Sequence, residues 1–366
     1  MILNIITSKF LYKNTHNIYY YMSEILSTNK YSTEDYYMSE LLSTHKYTFE
    51  DYMNWSSTIH DKIEDEMRTI CQPNAKLLDV VLHIETLIDE LTKKTANDYN
   101  LDESISYGRA FPVGINLNNI AAHYTPKKTS DRIISRSDVV TLDYGIHFDG
   151  YILDAAFTFA YDKKHSKLLE CGLNACQNTA SMVKANLPIY DLSLNIIKII
   201  SNNGFNSISD LCGHQIKQYK IHSGFAVPNI KYDTKIKLKV GDVFTIEPFV
   251  TTGDGSSKER KQSNKISHYM FNYHLNDYNK LNKLDKIPEF LKPYKTLAFN
   301  SREFNSSEQN KLDKLLNRQI YNAYPPILDI NDDAKVCQFE TTLYIKSPDI
   351  VINYKQHQLL DKYLLI

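Results

Sequence analysis

Val139-Val140-Thr141-Leu142-Asp143-Tyr144-Gly145-Ile146-His147-Phe148-Asp149-Gly150-Tyr151-Ile152-Leu153-Asp154-Ala155-Ala156-Phe157 reads as one β-hairpin. Asp149-Gly150 is a favoured two-residue turn, because Gly takes positive φ freely and Asp tolerates it better than most residues. A turn centred there sets Gly145 opposite Asp154. Side chains alternate along a strand, so Asp143 shares a face with Gly145 and hence with Asp154. The two carboxylates become diagonal neighbours across the ladder, within reach of one shared ion. Two anions this close on a buried face repel, and one takes up a proton unless a cation lies between them. A single acid on a strand is ordinarily a hydrogen-bonded or edge residue; two on one face of an apolar hairpin point to a site.

Two more acids occur in similar settings. Glu247 lies in Asp242-Val243-Phe244-Thr245-Ile246-Glu247-Pro248-Phe249, and Glu340 in Val336-Cys337-Gln338-Phe339-Glu340-Thr341-Thr342-Leu343. Taken alone, each reads as an outward-facing residue on a half-exposed strand. His214 and His222 are eight positions apart. That is roughly 26 Å in an extended strand, at ~3.3 Å per residue, so the two meet only if the chain bends between them.

Around these segments the pattern alternates between two periods. Leu77, Val81, Ile84, Ile88 and Leu91 recur at helical spacing between Lys76 and Lys94, and further helical patterns run from His165 to Ala185 and from Asp191 to Asn203. Val139 to Leu142, Ile152 to Phe159, Val243 to Val250 and Lys335 to Ile345 are short, β-branched and aromatic, bounded by turn residues. Interleaved strands and helices predict an α/β or α+β fold. Residues 272–325 are more polar, with a helical stretch near Glu308 to Tyr321, and read as an inserted subdomain. Residues 1–55 read as a Tyr-rich extension. There Tyr21-Met22-Ser23-Glu24-Ile25-Leu26-Ser27-Thr28 recurs as Tyr37-Met38-Ser39-Glu40-Leu41-Leu42-Ser43-Thr44, with a period of 16. Two copies are too few and too short for a solenoid.

Composition excludes several classes. The chain has 366 residues, 42% hydrophobic and 23% charged, with a formal net charge of -1. That is an ordinary globular composition, long enough to bury a core without disulfide staples. Near-neutral charge gives no basis for a nucleic-acid or membrane-surface protein. The five cysteines form no C-x-x-C, which suggests reduced thiols in a cytosolic protein. No apolar run approaches the ~20 residues of a membrane helix, so a cytoplasmic, soluble protein is expected. There is no phosphate loop, no G-x-S-x-G elbow and no H-E-x-x-H zinc helix.

Phe111-Pro112-Val113-Gly114-Ile115-Asn116-Leu117-Asn118-Asn119-Ile120-Ala121-Ala122-His123-Tyr124-Thr125-Pro126 resembles the stretch around the substrate histidine of type 2 methionine aminopeptidases. The Asp143–Asp154 hairpin, Gly213-His214 through Ile221-His222-Ser223-Gly224, Thr245-Ile246-Glu247-Pro248-Phe249, Ser267-His268-Tyr269-Met270, Tyr324-Pro325-Pro326 and Gln338-Phe339-Glu340 follow in that family's order. Glu247 and Glu340 stand 93 positions apart with the 272–325 segment between them, as in type 2 members. Val113 and Pro248 depart from the family's more usual Thr at each position, and Pro248 removes one ladder N–H.

The resemblance implies an α/β (α+β) pita-bread fold for residues 56–366, with a pseudo-twofold central antiparallel sheet flanked by helices. It implies two divalent metal ions (Mn²⁺, Co²⁺, Fe²⁺ or Zn²⁺), with Asp143, Asp154, His214, Glu247 and Glu340 as ligands. Four carboxylates and two divalent cations cancel, so such a site is buried without net charge. The implied reaction is metal-assisted hydrolysis of the first peptide bond, releasing the initiator methionine. Glu247 would move the proton, and His222 and His123 would hydrogen-bond the substrate. Phe111, Ile221, Phe249, His268 and Tyr324 match positions lining the methionine pocket. The implied partners are nascent polypeptide N-termini, with ribosome association, for a monomer that needs neither nucleic acid nor membrane. A non-catalytic pita-bread binding protein and a prolidase or aminopeptidase P relative are the alternatives.

Overall fold

The computed structural model describes residues 46–259 and 266–365; the 16-residue duplication read near the N-terminus lies outside them. Two long helices come first, α1 (Phe49–Ile70) and α2 (Leu77–Asp98). A capping box starts α1: the Thr48 side chain accepts from the Asp51 N–H, and the Asp51 carboxylate accepts from the Thr48 N–H. This helix crosses residue 55, where the sequence reading ended the extension, and it buries Tyr52, Met53, Ile59 and Ile63.

Strands β1 (Tyr107–Arg109), β2 (Gly114–Leu117) and β3 (Ile120–Ala122) lead into the hairpin of β4 (Val139–Phe148) and β5 (Tyr151–Ala160). Gly145 pairs with Asp154, the register expected from the turn. Asp149 (φ 51°) and Gly150 (φ 76°) both take positive φ, as a two-residue hairpin turn requires. β4 is flanked by β5 on one edge and by β1 and β2 on the other.

Helices α3 (Ser166–Ser181) and α4 (Ile189–Asn202) follow, within a few residues of the predicted spans, then β6 (Asn206–Ser207), β7 (Cys212–Lys217), β8 (Lys220–Pro228), β9 (Val243–Ile246), β10 (Phe249–Thr251) and β11 (Ser257–Glu259). The remaining elements are β12 (His268–Phe271), α5 (Tyr278–Lys283), α6 (Ser306–Asn317), β13 (Tyr321–Tyr324), β14 (Ile327–Asp329), β15 (Val336–Gln338), β16 (Thr341–Ser347) and β17 (Ile350–Asn353). A five-stranded antiparallel sheet runs in the order β17-β16-β9-β7-β8. Residues from α1 to α4 pack with both sheets in one continuous core that includes Ile63, Ile84, Leu142, Phe159, Leu169, Ile196 and Phe244.

Two sequence expectations change here. Val243–Val250 and Lys335–Ile345 read as single strands, but each is interrupted at its acid. The first breaks at Glu247-Pro248, where Pro supplies no ladder N–H, and the second at Phe339-Glu340. The 272–325 segment holds α5, α6 and β13, and Phe271, Leu291, Phe299, Leu312 and Tyr321 form a small core of its own. Among the described residues no helix is long and apolar enough to cross a membrane.

Candidate active site

The interruptions aim both glutamates into the space beside the β4–β5 hairpin. Asp154 is pinned at both ends of its peptide unit: its N–H donates to Thr342 Oγ1 at 3.0 Å, and the Thr342 hydroxyl donates to its carbonyl at 2.7 Å. Glu340 is tied to the hairpin through its N–H, 2.8 Å from the Ala156 carbonyl. On β7 the His214 N–H donates to Thr245 Oγ1 at 3.1 Å, and that hydroxyl donates to Glu247 Oε1 at 3.3 Å. His214 Nε2 then stands 3.5 Å from Asp154 Oδ2 and 3.4 Å from Glu247 Oε1.

The distance problem of His214 and His222 is solved by a hairpin. β7 reverses into β8 between Lys217 and Lys220, and irregularities in the register follow His214 and Gln215. The two rings end 4.5 Å apart, edge to face. His123 comes from the loop after β3 with φ 62°. Its ring lies 5.8 Å from His268 and 5.9 Å from Tyr324, which face each other across β12 and β13.

One cavity is lined by Asp143, Asp154, His214, Glu247, Glu340, His123, His222, Phe111, Ile221, Phe249, His268 and Tyr324. Every residue singled out from the sequence therefore meets at one place. Leu211, Cys212, Met270 and Ala298 also line it; as short apolar or thiol side chains without spacing or charge, they carry no sequence signal. The cavity holds about 80 Å³, against the ~10–15 Å³ that one water needs.

The electrostatics are those of an acid cluster. Burial pushes Asp143 up to about 7. Asp154, Glu247 and Glu340 are raised well above the usual carboxylate range, first by burial and then by the charges of the neighbouring acids. Burial lowers His214 and His123 to about 4 and holds His222 and His268 well below the ordinary histidine value. At neutral pH the imidazoles are uncharged, and among the described residues no cationic side chain lies beside the acids to balance them. Asp154 Oδ1 and Glu340 Oε1 are buried without a hydrogen-bond partner among the described residues. Ligand atoms of Asp154, His214 and Glu340 lie within 4.8 Å of one another. Oxygen-rich donors with one imidazole and no thiolate fit a divalent cation of the Mn²⁺ to Zn²⁺ series.

A family model described as metallopeptidase family M24 matches residues 51–271. The chain belongs to this family. It is 34% identical over 294 residues to a methionine aminopeptidase of Thermococcus kodakarensis, covering 78% of this chain and 92% of that protein. It is 28% identical to methionine aminopeptidase 2A of Arabidopsis thaliana, covering 80% of this chain and 67% of that one. Among solved structures, a thermophilic Arx1 superposes with a TM-score of 0.71 at 17% identity, covering 86% of this chain and 92% of that one. A methionine aminopeptidase from Thermotoga maritima gives a TM-score of 0.57 at 18% identity, covering 84% and 96%. At such identities the structural likeness establishes the fold, which for this M24 chain is the pita-bread architecture.

Proposed function

We propose that this M24 metallopeptidase removes the N-terminal methionine of nascent polypeptides by hydrolysing the first peptide bond. The observation that carries the reading is the convergence of three buried carboxylates, the half-buried Asp143 and one imidazole, two of the carboxylate oxygens having no hydrogen-bond partner among the described residues. Relatives named methionine aminopeptidase over most of the chain support this substrate over an X-Pro peptidase or a non-catalytic binder.

Asp143, Asp154, His214, Glu247 and Glu340 would hold two divalent ions. When bound, such ions polarise the scissile carbonyl and make water acidic enough to attack near neutral pH. The chain's own groups do the rest. Glu247 would accept a proton from the attacking water and return it to the leaving amine, being placed beside His214 and Asp154 at the centre of the cluster. His222 and His123, neutral at pH 7, would hydrogen-bond the substrate peptide unit. Phe111, Ile221, Phe249, His268 and Tyr324 surround the methionine side chain, whose flexible thioether suits an irregular apolar wall. The same proposal includes a cytoplasmic monomer and a catalytic unit that encloses the 272–325 insertion, preceded by the N-terminal extension.

The test is release of methionine from a Met-Ala-Ser peptide by protein loaded with Mn²⁺ or Co²⁺, with an X-Pro peptide in parallel. Release from Met-Ala-Ser alone, lost in Glu340→Ala, is expected. Cleavage of X-Pro in preference, or inert protein under every metal, would overturn the assignment.

A further inference from the structure

The acids are accounted for by the proposed function, but an amide among them is not. Gln338 ends β15 two residues before Glu340 and is 1% exposed. Its Nε2 lies 3.3 Å from Glu247 Oε2 and 3.4 Å from Glu340 Oε2, and its proximity favours the ionised form of Asp143. Its Oε1 is buried with no hydrogen-bond partner among the described residues, so Nε2 alone orients the group. A primary amide offers two N–H donors, whereas an ionised carboxylate only accepts. The opposite orientation would set an oxygen against three acceptors. Contacts just longer than the usual 2.7–3.2 Å of N–H···O bonds suit an amide shared among neighbouring carboxyls rather than owned by one.

The backbone behind this amide is fixed by two threonines. The Gln338 N–H donates to Thr158 Oγ1 at 2.8 Å, and the Thr158 hydroxyl donates to the Gln338 carbonyl at 2.7 Å. That uses the single hydroxyl proton of Thr158. Thr141, 2.8 Å away, must therefore be the donor in the Thr141–Thr158 hydrogen bond. Thr141 and Thr158 pair across β4 and β5, and Thr141 precedes Asp143 by two positions on the same face. The amide is thus referenced to the hairpin that carries the acids.

We propose that Gln338 is a positioning residue for the metal-binding carboxylates: its amide, backed by Thr158 and Thr141, aims Asp143, Glu247 and Glu340 into the cavity and so sets the affinity for divalent ions. The proposal rests on the reading of those acids as ligands. Wherever these acids are ionised they repel one another and gain from swinging apart, and a shared donor between them opposes that motion. Groups that orient metal ligands typically contribute 10–100-fold in affinity.

The test is calorimetric titration of metal-stripped full-length protein with MnCl₂. Gln338→Met keeps the length of the side chain and removes both donors; Gln338→Ala removes donors and volume together. If the donors matter, both variants bind Mn²⁺ about 10–100-fold more weakly than wild type, with unchanged circular dichroism. Thr158→Val, which leaves the acids and the amide in place, is expected to weaken binding in the same direction, and it serves as the independent arm should either Gln338 variant fail to fold. Wild-type affinity in Gln338→Met or in Thr158→Val overturns the proposal; in the first case, loss in Gln338→Ala alone would mark a packing role. Wild-type protein that binds no Mn²⁺ overturns the ligand assignment itself, and the proposal with it.

Discussion

Substituting Gly150 by Ala is expected to loosen a latch that joins the hairpin of Asp143 and Asp154 to the hairpin of His214 and His222. Gly150 sits at φ 76°, and a Cβ there would lie 2.3–2.5 Å from three ring atoms of Tyr219. The ring has little freedom to retreat. Tyr219 Oη donates to Asp149 Oδ1 at 3.0 Å, pairs with Ser106 Oγ at 2.7 Å and accepts from Lys295 Nζ at 2.5 Å. Its backbone N–H donates to the Gly150 carbonyl at 2.8 Å, and its carbonyl accepts from Thr296. The latch thereby ties the tip of β4–β5 to the tip of β7–β8 and to the insertion. An alanine at positive φ costs about 1 kcal/mol. Displacing the ring forfeits two or three hydrogen bonds at about 1 kcal/mol each, for a total near 4 kcal/mol. With an unfolding entropy of about 0.8 kcal/mol/K for a chain of this length, the melting temperature falls by roughly 5 °C.

Gly204 provides the control. It has the same φ of 76°, at the end of α4, and nothing lies within 4 Å of its Cβ position. Gly204→Ala should therefore show only the backbone cost, about 1 kcal/mol. Thermal and urea unfolding of both variants, followed by circular dichroism, isolate the steric part by difference. Adding Gly150→Ala to Tyr219→Ala should cost little more than the backbone part, because the clash and the bonds are already gone. Equal stability of Gly150→Ala and Gly204→Ala would refute the latch.

Gly145→Ala places a Cβ 2.3 Å from Phe111 Cε1, so KM for Met-Ala-Ser is expected to rise roughly tenfold while calorimetric Mn²⁺ affinity holds. Mn²⁺ affinity itself should climb with pH. Asp143 binds a proton below about 7, the other three acids are shifted the same way, and the ion must displace those protons, whereas His214, lowered to about 4, is already neutral. One displaced proton makes binding about 20-fold tighter at pH 7.5 than at 5.5, and a flat profile would contradict the acid cluster. Lys355 is 1% exposed, bridges Glu64 and stands 2.7 Å from Asp61. Lys355→Met should destabilise by about 3–5 kcal/mol in urea unfolding, and adding Glu64→Leu should recover most of that loss.

Family membership and the central hairpin were legible because their signals are local. Asp149-Gly150 defines a turn, the period of two defines the faces, and together they place Gly145 opposite Asp154 as found. The helical periods of α2, α3 and α4 were readable for the same reason. Other features left no local trace. The break at Phe339-Glu340 has no proline or glycine beside it, unlike the one at Glu247, which Pro248 marks. Helix α1 has its apolar positions diluted by polar ones and became definite only where Tyr52, Ile59 and Ile63 meet the sheet.

By itself, then, the amino-acid order singled out the side chains proposed to carry the chemistry and determined how the first two acids share a face. Only the tertiary structure decided that they converge. His214 and His222 are roughly 26 Å apart along an extended chain and 4.5 Å apart in the fold, because a turn without a glycine signal is held by Tyr219 against a distant hairpin. Gln338 and its threonines were likewise silent, since a neutral amide in an apolar run has no meaning until three carboxyls surround it. Periodicity and turn chemistry act between neighbours in sequence, whereas burial, repulsion and shared donors act between neighbours in space.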